Sequence, residues 1–382
     1  MRKIKIGVIG LKGIGQTHIS QITTSENSEL TAVSDINEEI GKIIASKYNV
    51  KWYKNYENML EEKDLDAVSI CTPHFLHFPM TMRAFEYNKH VLVEKPMALT
   101  VKEADQMIEE ARRKGLKLGV VYQMRTNPVY RKMKEMIDED KIGKVYRICM
   151  EACVFRTQAY YNNDFWRGRW MTEGGGALIN QTIHYIDVLQ WLVGKPVKVY
   201  GDIGTLYHDI EVEDIASANL IFEGEARGVF QVSTVDPINT IRIEICGEKG
   251  KIISEDGNNE IRYAISDKSL KEYLLDESIW PSLQYQWNKI EVEKSTFEHG
   301  HKKIIEDFAQ AIIEDREPLV NGEEGRVSLE IVNAIILSSF QGKPIKLPID
   351  REAYEKLLKK KLAKPYRAKF KRAPGRILYT SF

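Results

Sequence analysis

Residues 90–96 read HVLVEKP, an apolar run that closes on Glu94, Lys95 and Pro96. Such a run suits a buried strand, and an ammonium at its carboxyl end is costly to bury unless a site uses it. A second segment, GGGALINQTIHYID at 174–187, sets three glycines ahead of Asn180, His184 and Asp187. Lysine and histidine together suit removal of an alcohol proton as hydride leaves the neighbouring carbon. The base in that step works best with a pKa near the working pH. An unperturbed His sits at about 6.5 and a Lys at about 10.4. Lys95 would have to fall roughly 3 units, on the order of 4 kcal/mol, to act as that base. His184 needs almost no shift. His184 is therefore expected as the acid/base, with Lys95 stabilising the developing alkoxide. The opposing readings are a structural Glu94–Lys95 salt bridge and a core helix histidine. The spacing of Asn180, His184 and Asp187 predicts one helical face, with Asp187 either meeting substrate, orienting His184 or serving structure.

A hydride needs an acceptor, and the first turn of the chain offers a place for one. IGVIGLKGIGQTH supplies Gly10, Lys12, Gly13, Ile14 and Gly15. The glycine pattern is imperfect, because Lys12 stands where a GxGxxG motif has its second glycine. Its context is stronger: it follows a strand-like run and opens a helix-like one. Asp35 ends the second strand-like run, placed to accept both ribose hydroxyls of an adenosine and to repel a 2′-phosphate. NAD is therefore expected, with NADP the lesser alternative. The Lys12 side chain must point away or meet the phosphates.

These groups need a scaffold. The first 125 residues alternate apolar strands (4–10, 30–35, 66–72, 90–95, 118–122) with helical patterns (14–22, 37–48, 75–88, 100–114). Asn37 suits an N-cap. That alternation predicts a doubly wound parallel sheet covered on both faces. Ligands of such sheets lie outside the carboxyl ends of the strands. Thr72, Pro73 and His77 in CTPHFLHF are thus expected near a cofactor, as is Gln123, while Arg125 is expected to reach substrate. His74 and His77 as a metal pair lack further ligands nearby, so no metal is expected. FWRGRW contributes Trp166 and Arg167, suited to stacking on a polyol and to contacts with hydroxyl or carboxylate groups. Tyr160 and Tyr161 are lesser candidates.

From about Lys144 the strands lengthen and alternate, which predicts a large, mostly antiparallel open sheet in an α+β unit. Helices are expected at 177–192, 301–314 and 326–340. The expected domains are 1–125, 126–350 and a basic helix and tail at 351–382. Lys356–Arg376 holds ten Lys or Arg and no acid. The whole chain carries 55 basic and 55 acidic residues, so the remainder, with 45 and 55, is net negative by ten. Overall neutrality argues against nucleic acid as the main partner. No run of about 18 apolar residues occurs, which argues against a membrane span. Four cysteines without a CxxC spacing, Cys71 and Cys149 in apolar strand-like runs, and no apolar secretory stretch after Met1 predict buried, reduced thiols in the cytoplasm.

In this order and spacing, the motifs resemble the glucose–fructose oxidoreductase/inositol dehydrogenase (Gfo/Idh/MocA) family. The resemblance runs over about residues 3–350. It includes the glycine turn with Asp35, TPHFLH at 72–77, KHVLVEKP at 89–96, GGGALINQTIHYID and LVNGEEGRVSLEIVNAI at 319–335. It implies an NAD(P)-binding Rossmann domain, hydride transfer to or from a sugar or cyclitol, and a homodimer or homotetramer built through the open sheet. It carries Lys95 and His184 over as the catalytic pair and puts Glu94 and Lys95 near the nicotinamide ribose. Many members have Asp where this chain has Asn180, which makes Asn180 a neutral substrate contact and excludes a carboxylate relay through that position. An NAD-dependent lyase or glycosidase using transient oxidation, and a non-catalytic NAD(H) sensor, stay open as alternatives.

Overall fold

A computed structural model describes residues 2–255, 259–294 and 296–362. The chain opens with β1 (Ile4–Ile9), α1 (Ile14–Thr24), β2 (Ser28–Ser34), α2 (Glu38–Tyr48), β3 (Lys51–Tyr53) and α3 (Tyr56–Leu60). It continues with β4 (Ala67–Ile70), α4 (His77–Glu86), β5 (His90–Val93), α5 (Val101–Lys114) and β6 (Leu118–Val120). The six strands pair in parallel in the order β3-β2-β1-β4-β5-β6. Ile4, Ile6, Val8, Val68, Ile70, Val91 and Val93 are fully buried, as a sheet covered on both faces requires. The chain leaves β1 in one direction and β4 in the other, so the crevice at their carboxyl ends is the natural ligand position. Helix starts follow local chemistry: the Asn37 side chain accepts from the Ile40 N–H, and Thr100 and Glu103 form a reciprocal cap on α5.

The second half holds α6 (Pro128–Asp138), β7 (Val145–Cys153), α7 (Gln158–Asn163), α8 (Ile183–Val193), β8 (Pro196–Gly204), β9 (Ile215–Phe222) and β10 (Arg227–Ser233). Then come β11 (Thr240–Gly247), β12 (Gly250–Glu255), β13 (Glu260–Ser266), α9 (Leu270–Leu274) and β14 (Tyr285–Glu291). Helices α10 (Phe297–Glu314) and α11 (Gly322–Gln341), strand β15 (Ile345–Lys346) and α12 (Arg351–Leu362) complete it. Nine strands form one sheet, β14-β13-β12-β11-β7-β10-β9-β8-β15, antiparallel except where β7 meets β10. Strands β9 and β10 alternate buried and exposed positions, so one face packs on helices and the other is open.

The last two long helices turn back to the first sheet. α10 lies on α1, and α11 touches α5, α8 and β8. The Val120 N–H bonds the Val320 carbonyl at 2.9 Å, and Gly119 bridges Asn321. The segment entering α11 therefore extends the β6 edge of the parallel sheet.

Three expectations change. The helix placed at 177–192 is two pieces: a π-type turn over Ala177–Gln181, then α8. β3, α3, α6, α7, β13, α9, β14 and β15 were not foreseen; β14 is an edge strand with mostly exposed residues, so it lacks the buried alternation that marks a strand. Cys149 is half-buried rather than buried, while Cys71, Cys153 and Cys246 are buried, and all four thiols are free. No described helix is long and apolar enough to cross a membrane. The expected basic tail beyond Leu362 lies outside the described residues.

Candidate active site

The turn after β1 is shaped for a dinucleotide. A Cβ on Gly15 would lie 1.9 Å from the Gly10 carbonyl oxygen, so helix α1 can approach the strand only with glycine there. α1 starts at Gly13 and Ile14 with no side-chain cap, which leaves its positive end for a ligand's phosphates. Asp35 braces this turn: Oδ2 accepts from the Leu11 N–H at 2.9 Å and Oδ1 from the Asn37 N–H at 2.8 Å. Its remaining lone pairs are still available to a ribose. Lys12 is exposed, so the residue at the second glycine position does not fill the turn. Thr72 and Pro73 follow β4 and are half-buried. Glycine turn, uncapped helix and acid thus fit an adenine dinucleotide.

Lys95 leaves the end of β5 and reaches the π-type turn. Its Nζ donates to the Asn180 carbonyl at 2.9 Å and lies 3.4 Å from Asn180 Oδ1. No Glu94–Lys95 side-chain salt bridge forms. Glu94 is buried, accepting from the Lys95 N–H through Oε2 and facing His18 Nε2 (2.9 Å) and His301 Nε2 (3.7 Å) through Oε1. His18 Nδ1 pairs with Ser69 Oγ at 2.7 Å. Among the described residues, His18, Glu94 and His301 are the one group close enough to share a cation. Their hydrogen bonds account for the cluster as it stands. Burial lowers the Lys95 pKa, opposed by the Glu94 charge and reinforced by Arg167.

Asn180 is held from behind. Its Nδ2 donates to Glu173 Oε1 at 2.5 Å, and Glu173 Oε2 accepts the Gly168 N–H. Glu173 is fully buried, and burial raises its pKa to about 7 against those two donors. A carboxylate thus does reach Asn180, from a different segment than the helix. A second buried acid, Glu213, accepts the Gly176 and Leu178 N–H groups at 2.9 and 3.0 Å and fixes the glycine turn. Gly176 itself is obligatory, since a Cβ there would lie 2.0 Å from the Glu213 carbonyl oxygen.

His184 sits in the first turn of α8, buried, with its ring edge-on to Tyr122 at 5.8 Å. Nδ1 is buried with no hydrogen-bond partner among the described residues. Burial, and then the Lys95 charge, push its pKa well below 6.5. The unshifted histidine expected from sequence is therefore a neutral imidazole and a weaker base.

Several expected contacts point elsewhere. The helix break separates Asn180 from the α8 face, and Asp187 turns to the interior. Arg125 donates to Asp187 through Nε and Nη2 at 2.8 and 2.7 Å and to Glu324 at 2.8 Å, with 2% of its surface exposed. Arg125 is a brace between the first sheet, α8 and α11, not a substrate ligand. His77 has no exposed surface, and its two nitrogens lie 2.7 Å from the Pro96 and Thr72 carbonyls. It ties two loops together rather than touching a cofactor. His74 faces the Glu173 carbonyl, and its ring lies tilted against Trp166 with centres 4.7 Å apart. Trp166 also carries the Arg167 guanidinium 4.4 Å from its ring centre, so two side chains already crowd this half-buried ring. Gln123 is buried, and its Oε1 has no hydrogen-bond partner among the described residues. Tyr160 lies at the site, its hydroxyl accepting from Gln181 Nε2 at 2.7 Å and from Arg167. Tyr161 is turned away, bonded to Thr234.

His18, Glu173, Glu213 and His301 were missed. His18 stood within the glycine-turn segment, and Glu173 immediately before the three glycines, where a buried acid carries no periodic signal.

Residues 4–122 match the model of an oxidoreductase family with an NAD-binding Rossmann fold (GFO_IDH_MocA), and residues 130–253 match the GFO/IDH/MocA C-terminal domain. The chain is 27% identical over 352 residues to myo-inositol 2-dehydrogenase of Thermotoga maritima, spanning 90% of this chain and 98% of that protein. It is 26% identical over 290 residues to the NADP(+) D-xylose 1-dehydrogenase of Haloarcula marismortui, spanning 75% and 76%. The WlbA dehydrogenase from Bordetella pertussis, solved with NADH and UDP-GlcNAcA, superposes with a TM-score of 0.79 at 27% identity, over 91% of this chain and 99% of that one.

Proposed function

Because the chain belongs to the GFO/IDH/MocA oxidoreductase family, we propose that it transfers a hydride between NAD and a secondary hydroxyl of a sugar, sugar derivative or cyclitol. The observation that carries this reading is the Lys95 ammonium, held at the site by Asn180 rather than neutralised by Glu94. Bound NAD supplies the hydride acceptor. Lys95 donates to the reacting oxygen and stabilises negative charge as it develops. His184, kept neutral by burial, takes the hydroxyl proton on its imidazole and returns it in the reverse direction. Asn180 fixes the Lys95 side chain, and Glu173 fixes Asn180. Gly10, Gly13, Ile14 and Gly15 would hold the pyrophosphate and Asp35 the adenosine ribose, which favours NAD over NADP. A homodimer or homotetramer in the cytoplasm would cover the open sheet face, where Tyr146, Tyr200 and Val229 are exposed.

The test is NADH formation at 340 nm across sugars, cyclitols and sugar acids, with NAD and NADP in parallel and Lys95→Ala as control. Turnover with NAD that disappears in the variant supports the reading. Tight NADH binding without turnover of any alcohol overturns it.

A further inference from the structure

The cations at the mouth of this site outnumber what a neutral polyol needs. Two guanidiniums share one aromatic ring: Arg156 Cζ lies 5.2 Å and Arg167 Cζ 4.2 Å from the centre of Tyr160. The Tyr160 hydroxyl accepts from Arg167 and Gln181 and lies 3.4 Å from Asn180 Nδ2. Asn180 in turn accepts from Lys95. Arg156, Arg167 and Lys95 are thus linked through two side chains. Among the described residues one carboxylate pairs directly with these three charges, Asp164, 3.1 Å from Arg167 Nε; Glu94 favours the Lys95 charge through space but faces His18 and His301. Glu173 is spent on Asn180 and Gly168 and has no exposed surface to offer a ligand. Among the described residues Arg156 makes no ion pair; its Nη1 donates only to the neighbouring Phe155 carbonyl, at 2.8 Å. Its backbone is pinned to Thr234 and His208, so the side chain starts from a fixed point.

Gathering like charges costs free energy in the absence of a counter-ion. Burial lowers the proton affinity of Lys95, and both guanidiniums lower it further against the Glu94 and Glu173 charges. A ligand that brings its own negative charge removes that cost. Guanidinium is also the group whose planar donors match carboxylate and phosphate oxygens. Resting on the dehydrogenase reading, we propose that the substrate is an anionic sugar, whose carboxylate or phosphate is held by Arg156 and Arg167 beside Tyr160 while Lys95 meets the reacting hydroxyl.

The experiment compares D-glucose with D-glucuronate, D-glucose 6-phosphate and UDP-glucose, using full-length enzyme with NAD, at low and high salt. Wild-type kcat/KM for at least one anionic sugar should exceed that for glucose by about 10- to 100-fold, the worth of one or two charge-assisted contacts. That ratio should collapse in Arg156→Met, recover in Arg156→Lys, and shrink with added salt. Preference for glucuronate identifies a carboxylate; preference for glucose 6-phosphate or UDP-glucose identifies a phosphate. Equal use of glucose and its anionic relatives, or a ratio unmoved by Arg156→Met, overturns the proposal. If no sugar is turned over, calorimetric titration of the NADH-loaded protein with the same four compounds decides it alone. Anion-selective binding lost in Arg156→Met upholds the anion site while the dehydrogenase reading falls, and equal or absent binding sinks both. Melting curves of each variant exclude unfolding as the cause.

Discussion

Asn180 donates through Nδ2 to Glu173 at 2.5 Å and presents Oδ1 and its carbonyl to the Lys95 ammonium. The amide has two orientations of similar shape, and the buried carboxylate selects one. In Glu173→Gln the neighbour becomes an amide that offers one acceptor to two donors, Asn180 and the Gly168 N–H. The Asn180 amide then loses its preferred orientation, and Lys95 its second acceptor. We expect kcat to fall about tenfold, the cost of one misaligned charge-assisted hydrogen bond, with NADH affinity unchanged. Because Glu173 titrates near 7, the wild-type rate should also show a shallow step there that the variant lacks. Equal losses in kcat and NADH affinity would mean that Glu173 only supports the fold.

His184 gives a different pH signature. Burial and Lys95 hold its imidazole neutral at and below the ordinary histidine pKa of 6.5. For alcohol oxidation, the complete acid-side loss of kcat/KM should therefore fall below pH 6.5. Replacing His184 with Ala should lower kcat by about 10²- to 10⁴-fold, the range for a lost general base, while NADH still binds. An acid limb centred above 6.5 would point to a different base.

The fold was legible where one physical rule dominated. Fully apolar strands and the glycine turn at Gly10–Gly15 announced the parallel sheet, and its strand order follows from the crossover rules. Lys95 was legible because a charge at the end of an apolar run needs a reason. The Arg125–Asp187 pairing was not legible, and Asp187 stayed open between binding and structure, because a polar residue at a strand end or on a helix face looks the same whether it meets a ligand or a partner 62 residues away. The helix break at Thr182 was hidden because Ala177–Gln181 has good helical composition. What imposes the π-type turn is the pair of N–H groups taken by Glu213, some 35 residues later in sequence. Long-range partners of this kind leave no mark in local periodicity.

The Arg125–Asp187 pair separates bracing from binding. Both side chains are at least 97% buried, so removing one partner strands a charge. Arg125→Met should destabilise the protein by about 3–5 kcal/mol, the usual cost of breaking a buried pair, and Asp187→Asn by a smaller amount. Thermal or urea denaturation measures it. An unchanged melting temperature with a raised KM for the sugar would return Arg125 to the substrate site.

Glu213 offers a test of the scaffold that needs no substrate. Burial raises its pKa from 4.5 to about 7. Between those values the native state holds a proton that the unfolded chain has released, so this group's contribution to stability falls as pH rises. The loss is absent below pH 4.5 and complete above about 7. Its size is on the order of 3 kcal/mol, from roughly 1.4 kcal/mol per pKa unit. Glu213→Gln keeps an acceptor for the Gly176 and Leu178 N–H groups but cannot ionise. Other groups, including the buried His74 and His184, act on both proteins alike and cancel in the difference. The two proteins should have similar urea midpoints at pH 4.5, and the variant should become progressively the more stable one up to pH 8. Midpoints that stay parallel across that range would show that Glu213 keeps an ordinary carboxylate pKa. The turn carrying Asn180 would then be held by a charged group at neutral pH.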